Sequence, residues 1–310
     1  MRAFIFPGQG SQAVGMGHAL AEASSEARAL LAEVDEALGQ PLSTLMAEGP
    51  EDQLTLTENA QPAIMANSLA VLRVLESAGI RLGDKAGCVA GHSLGEYSAL
   101  AAAGTFDIPT TARLLKLRGR SMQAAVPVGQ GAMAALLGLE LGEVEAIARE
   151  AAQGEVCTPA NDNAPGQVVV SGHKAAVERA IAIAKSRGAR RALLLPVSAP
   201  FHCPLMEPAA RAMDEALGKV ELRAPAMPLY ANVTAARVED PAEIRRLLVA
   251  QVTGRVRWRE SVAAMAEAGV THFIELGGKV LGPMVKRIAP DAKITSVVSI
   301  DDIEALVKEL

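Results

Sequence analysis

The sequence predicts an α/β protein, a mostly parallel sheet covered by helices and interrupted by a smaller unit. Three observations carry this. Short apolar runs alternate with helix-period segments in residues 2–126 and again in 199–310, the pattern of parallel strands joined by covering helices. Between 127 and 198 the order changes to strand, helix, strand, strand, helix, strand, the split βαβ or ferredoxin-like unit. The apolar run Cys88-Val89-Ala90 ends in Gly91-His92-Ser93-Leu94-Gly95-Glu96-Tyr97 and opens into an Ala-rich helix, so a strand turns sharply into a helix there.

Residues 2–6 read as a buried strand, and Pro7-Gly8-Gln9-Gly10-Ser11-Gln12 is a loop that cannot continue it. Residues 20–39 have helical spacing through Ala27, Leu30, Leu31, Val34 and Leu38 and stop at Gly39, with Pro41 beyond. A second helix is expected over 61–78. The strand before Gly91 and its helix run to Gly104, and another helix over 109–125 carries Arg113, Lys116, Arg118 and Arg120. In the inserted unit, strands are expected at 131–138, 155–160, 167–171 and 190–197, with helices at 140–152 and 173–187; Asn161 to Gly166 read as the loop between the middle strands. After a Pro-flanked loop at 198–204 come a helix at 205–217, a strand at 229–233 and two short helices. A strand at 272–276, a helix at 280–288, a strand at 293–299 and a terminal helix complete the chain.

With 310 residues and 50% hydrophobic content, the chain can bury a large core. A net charge of −5 gives no global basic field, and 3% aromatic content offers no base-stacking platform, so nucleic acid is not an expected partner. There is no run of about 18 apolar residues and no charged-then-apolar leader, which points to a cytoplasmic protein without a membrane partner. Cys88, Cys157 and Cys203 are odd in number and widely spaced, which fits reduced thiols better than a disulfide framework or a zinc site.

Ser93 stands in the nucleophile-elbow pattern G-x-S-x-G, where glycine neighbours let the backbone bend and the following helix N-terminus favours an oxyanion. A serine hydroxyl needs a base within reach. Of the five histidines, His92 is too close along the turn to face Ser93, His18 and His173 sit at helix starts, and His272 begins a strand. His202 lies in Ser198-Ala199-Pro200-Phe201-His202-Cys203-Pro204, a loop stiffened by two prolines beyond a strand end, and is the favoured base. An acid to complete a triad is not assigned by pattern; Glu275 and Asp240 are candidates, and a carbonyl acceptor for the second ring N–H is the alternative. Arg118, if turned inward, would bind a carboxylate in two parallel hydrogen bonds.

With Gly8-Gln9-Gly10-Ser11-Gln12, Gly91-His92-Ser93-Leu94-Gly95-Glu96-Tyr97, Pro200-Phe201-His202, and Gln251 ahead of Val256-Arg257-Trp258, the chain resembles the malonyl-CoA:acyl carrier protein transacylase family. The resemblance implies a discontinuous α/β-hydrolase-like domain, 1–126 and 199–310, interrupted by a ferredoxin-like domain, 127–198. It implies Ser93 as nucleophile, His202 as base and then acid, and the main-chain carbonyl of Gln251 as the group that orients His202. Backbone N–H groups of Gln12 and Leu94 match the oxyanion hole. Arg118 matches the arginine that pairs with the free malonyl carboxylate, Met122 lines the pocket, and Phe201 crowds the α-carbon against methylmalonyl. Gln61 and Asn161 match motif positions in the substrate site.

By the same resemblance malonyl-CoA and acyl carrier protein are the substrates, used in turn, with no cofactor, no metal and a monomeric enzyme. An acidic carrier would need a local basic patch, for which Lys185, Arg187, Arg190, Arg191, Lys286 and Arg287 are candidates. Cys203 stands where the family commonly has serine, and the turn at Gly277-Gly278-Lys279 is one residue short of the family's Gly-Pro-Gly-Lys, a change expected to bear on the pocket floor. A serine hydrolase sharing the elbow, a carrier-binding scaffold without activity, and a malonyltransferase of another pathway are the rival readings.

Overall fold

The computed structural model describes residues 1–310. In chain order the strands are β1 (Arg2–Phe6), β2 (Cys88–Gly91), β3 (Gly131–Leu137), β4 (Cys157–Ala164), β5 (Gln167–His173), β6 (Arg191–Leu194), β7 (Leu229–Tyr230), β8 (Arg237–Val238), β9 (His272–Leu276) and β10 (Lys293–Val297). They form two sheets. One has the order β10-β9-β1-β2-β7-β8, parallel throughout except for β8, which returns antiparallel to β7. The other is antiparallel, in the order β4-β5-β3-β6.

The central strands β1 and β2 are apolar runs because helices cover both faces of the sheet. Their register pairs Phe6 with Gly91, so the loops leaving both strands emerge side by side at the carboxyl edge, where open parallel sheets place their sites. Steric limits fix the elbow there. A Cβ on Gly91 would lie 1.9 Å from backbone atoms of Gly95, and one on Gly95 would lie 2.3 Å from the Phe6 carbonyl oxygen. Gly91→Ala is therefore expected to destabilise by about 3 kcal/mol or more. Gly142→Ala, at a helical glycine with nothing within 4 Å, is expected to be neutral or to stabilise by up to about 1 kcal/mol. Urea unfolding of the two variants checks the contrast.

Two long helices, Thr57–Ser77 and Ile108–Ala124, cross closely over the sheet. Asp107 caps the second by accepting from the Thr110 N–H at 2.7 Å. Gly119 makes the close crossing possible, because a Cβ there would lie 2.5 Å from the Glu58 Cα. The crossing turns Arg118 inward, toward Gln61.

The inserted unit has a core of its own, built from residues between Ala132 and Ala192 and including Val144, Ile147, Val168, Val170 and Val177. No helix is long and apolar enough to cross a membrane. Several elements differ from the sequence expectation. The helix expected over 20–39 is two, His18–Ala23 and Ser25–Leu38, because Ser24 is extended and its side chain accepts from the Ala27 N–H. The expectation also lacked the short helices Leu42–Glu48 and Glu51–Thr55, and the helix expected from Gln61 begins at Thr57, with Pro62 inside its first turns.

Asn161, Asp162 and Asn163 do not form a loop. They continue β4, and the chain turns at Pro165-Gly166, where Gly166 has φ 65. The Asp162 and Asn163 side chains find partners across the boundary between the two units. The Asp162 N–H donates to the Val256 carbonyl and the Val256 N–H to the Ala160 carbonyl, while Arg259 donates to both oxygens of the fully buried Asp162 at 3.0 and 2.9 Å. Strand β7 ends at Tyr230 rather than 233, since Asn232 leaves the ladder to bind the elbow.

Candidate active site

Ser93 is held at φ 54, a left-handed conformation costly for a residue with a Cβ and found where surrounding contacts over-determine the backbone. Those contacts are visible. The Ser93 N–H donates to Asn232 Oδ1 at 2.8 Å, and Asn232 Nδ2 donates to the Gly91 carbonyl at 2.7 Å.

The Ser93 Oγ lies 2.7 Å from His202 Nε2, and His202 Nδ1 lies 2.8 Å from the Gln251 carbonyl oxygen. A carbonyl can only accept, so Nδ1 carries the proton and Nε2 offers its lone pair to the serine hydroxyl. The carbonyl is available because Gln251 sits in the last turn of the helix Pro241–Thr253, whose final carbonyls lack intrahelical donors. His202 is itself at φ 56, in the proline-flanked loop. Burial pushes its imidazole down to about 3, with the Arg118 charge adding to the effect, so the ring is neutral near pH 7 and in the form a base requires.

Arg118 is 1% exposed. One guanidinium nitrogen, Nη1, donates to Gln61 Oε1 at 2.7 Å; the other, Nη2, donates to Gln251 Oε1 at 2.8 Å and to Ser93 Oγ at 3.1 Å. Its Nε–H has no partner, and the cation lies 5.8 Å from the centre of the Tyr97 ring. All its direct acceptors are neutral, so the cation has no anionic partner within the protein and is free to pair with a carboxylate.

These groups line or adjoin a cavity of about 310 Å³ between the two units. Gln12, Gln61, Ser93, Leu94, Arg118, Met122, Asn161, Phe201 and His202 all face it. The backbone N–H groups of Gln12 and Leu94 donate to no protein acceptor, as an oxyanion site requires, while the Gln12 side chain braces its own loop through the Gly10 N–H at 2.7 Å. The Gln61 amide also donates to Met122 Sδ at 3.8 Å, and Asn161 Oδ1 is buried without a partner.

The other candidates lie elsewhere. Asp240 caps the helix Pro241–Thr253 by accepting from the Glu243 N–H at 3.1 Å. Glu275 accepts the backbone N–H groups of Val280, Leu281 and Gly282 at the start of the helix Leu281–Ile288. Neither is hydrogen-bonded to His202, whose Nδ1 meets the Gln251 carbonyl instead. His173 Nδ1 accepts from the Val156 N–H, and His272 Nε2 pairs with the Thr295 hydroxyl. His18 is exposed beside Glu22. His92 meets Asn163 Oδ1 through Nε2 at 2.8 Å, which ties the elbow to β4, and it also lines the cavity. The turn at Gly277-Gly278 does not line it, contrary to the expectation that its length would shape the pocket floor. The Cys203 thiol is buried and donates to the Pro200 carbonyl at 3.1 Å, where a serine hydroxyl would fit as well.

Two residues of the site carried no role in the sequence reading. Asn232 follows the short run Leu229-Tyr230-Ala231, and a polar residue at the end of an apolar strand was the available signal. Glu96, inside the elbow motif, is 1% exposed, and burial pushes its carboxyl up to about 7 against the opposing pull of Gln251, Asn232 and Arg118.

A strained serine, a neutral histidine held by a carbonyl and two free N–H groups make a site for moving an acyl group through an ester. The family model for the acyl transferase domain matches residues 3–279, and the chain is an acyltransferase. It is 47% identical over 287 residues to the malonyl CoA-acyl carrier protein transacylase of Escherichia coli K12, covering 92% of each chain. It superposes with a TM-score of 0.97 on the acyl-carrier-protein-S-malonyltransferase of Bartonella henselae, at 53% identity over 99% of this chain and 98% of that one. A type II PKS acyl-carrier protein in complex with its malonyl-transacylase offers a further match, with TM-score 0.96, 41% identity, and 100% and 99% coverage. The chain belongs to the malonyl CoA-acyl carrier protein transacylase family.

Proposed function

We propose that this enzyme moves malonyl from malonyl-CoA to the phosphopantetheine thiol of an acyl carrier protein through a malonyl ester on Ser93, supplying extender units for fatty acid synthesis. His202 Nε2 takes the hydroxyl proton as Oγ attacks the thioester carbonyl, and the Gln12 and Leu94 N–H groups receive the oxyanion. The intermediate collapses, the C–S bond breaks, and His202 returns the proton to the CoA sulfur. The carrier thiol then gives its proton to His202 and attacks the ester, and the proton returns to Oγ. Gln251 orients the imidazole through its carbonyl.

The observation that carries this reading is Arg118, a buried cation 3.1 Å from the nucleophile. A fixed guanidinium there selects an acyl group with a carboxylate at its far end, and malonyl is the short diacid that fits. Met122, Gln61 and Asn161 line the remainder, and Phe201 crowds the α-carbon. The chemistry runs on side chains and backbone with no cofactor or metal, and a monomer in the cytoplasm suffices for it.

The strand order β4-β5-β3-β6 and the separate small core support reading 127–198 as a ferredoxin-like domain inserted in an α/β-hydrolase-like one formed by 1–126 and 199–310. Incubation with malonyl-CoA and intact-mass measurement should show a persistent malonyl adduct on Ser93 that acyl carrier protein discharges. Release of free malonate without transfer would mark a hydrolase and overturn the reading.

For the carrier, the exposed residues Lys185, Arg190 and Arg191 have no ion-pair partner. By contrast Arg187 pairs with Glu150, Lys286 bonds the Pro290 carbonyl and Arg287 bonds the Pro165 carbonyl. Strand β6 leads from Arg191 to Leu195, Pro196 and Val197 on the cavity wall, which makes this cluster the rim for an acidic carrier. Reversal of Arg190 and Arg191 to Glu is expected to weaken transfer to the carrier at least tenfold while acylation by malonyl-CoA stays within about twofold, read as separate half-reactions. Equal loss in both would remove the cluster from carrier docking.

A further inference from the structure

Glu96 is a carboxylate buried in the site without touching the dyad. It lies in the first turn of the helix Gly95–Ala102 and makes no capping bond to that helix. Its Oε2 instead accepts from the Asn232 N–H at 3.0 Å and from Gln251 Nε2 at 2.9 Å. Each of those residues holds one backbone group of the nucleophile: Asn232 Oδ1 takes the Ser93 N–H at 2.8 Å, and Gln251 Nε2 donates to the Ser93 carbonyl at 3.0 Å. Gln251 also supplies the carbonyl behind His202 and, through Oε1, an acceptor for Arg118.

We propose that Glu96 is the positioning residue of this site: a single carboxylate oxygen holds Asn232 and Gln251, and through them both backbone polar groups of Ser93 and the carbonyl that orients His202. The proposal deepens the acyl-transfer reading and rests on Ser93 being the nucleophile. A carboxyl group suits the task because one of its oxygens accepts two hydrogen bonds at once in a dry interior. It also completes a hydrogen-bonded chain without ion contact, from the Arg118 guanidinium through the Gln251 amide to Glu96. The Gln251 amide thereby links Arg118 to Glu96 while the Arg118 Nε–H keeps no partner and Nη2 still reaches Ser93 Oγ.

The test uses Glu96→Ala, Glu96→Gln and Glu96→Asp in the whole chain, with Ser93→Ala as blank. Ser93 labelling by phenylmethylsulfonyl fluoride is followed by intact mass, beside the malonyl-CoA acylation rate and its KM. Displacement of the dyad by about 1 Å is expected to slow labelling and acylation of Glu96→Ala about 100-fold, with KM changed less than about threefold. Glu96→Gln, whose carbonyl oxygen can accept both donors, should recover to within about tenfold of the parent.

If Glu96→Ala does not fold, Glu96→Asp decides: a loss of tenfold or more in labelling supports positioning, and a smaller loss overturns it. Folded Glu96→Ala labelling within tenfold of the parent, or a loss carried by KM alone, also overturns it. The label needs no acyl donor, so the two readings fail separately. No malonyl adduct but Glu96-dependent labelling sinks the function and leaves the positioning role; a normal adduct with Glu96-independent labelling does the reverse.

Discussion

Replacing His202 by alanine is expected to slow acylation of Ser93 by malonyl-CoA about 10³-fold, the usual worth of a positioned general base. The Ser93 hydroxyl has two side-chain partners, His202 Nε2 and Arg118 Nη2. Without the imidazole only the guanidinium remains, and it can donate to the oxygen but cannot take its proton. The residual rate should come from the Gln12 and Leu94 N–H groups and from binding. Quench-flow measurement of the malonyl adduct reads the effect directly, and a loss below tenfold would mean that another group takes the proton.

Arg118→Ala is expected to lower the ratio of kcat/KM for malonyl-CoA over acetyl-CoA by about 10²- to 10³-fold, the effect of losing a bidentate charge-assisted pair. The ratio matters more than either rate. Arg118 also donates to Gln61, Gln251 and the nucleophile itself, so its removal strands two buried amide oxygens and loosens the serine for every acyl donor. Dividing one substrate by the other cancels that shared loss and leaves the carboxylate term. A uniform fall with an unchanged ratio would make Arg118 a brace for the site and nothing more.

What was legible in the chain follows from how local each determinant is. Ser93 and the strand-to-helix turn could be read because the turn needs glycine-sized neighbours at fixed offsets. His202 could be favoured because two prolines stiffen its own loop. Arg118 was one of four cations along a helix, and its inward turn depends on Gly119 meeting Glu58 from another helix, a contact no local pattern announces. Gln251 came from family likeness alone, since its working atom is a main-chain carbonyl exposed by the end of a helix.

The Asn161-Asp162-Asn163 stretch misled for a physical reason. These residue types favour turns when their side chains bond locally, and here Val256, Arg259 and His92 supply better partners from the larger unit. The break at Ser24 was hidden because Leu20 and Ala27 keep the apolar rhythm running through it.

The fastening of β4 to the larger unit has a consequence for how acyl groups are told apart. Backbone bonds to Val256, the Arg259 fork on Asp162 and the His92 contact of Asn163 are packed into a few residues, and Asn161 among them forms part of the cavity wall. A hinge that opened the cleft would have to break them together and pull on the residue next to the nucleophile. One wall of the space around Ser93 is thus braced at several points from the larger unit. An acyl group on Ser93 is expected to be measured against that braced wall, of which Asn161 is part.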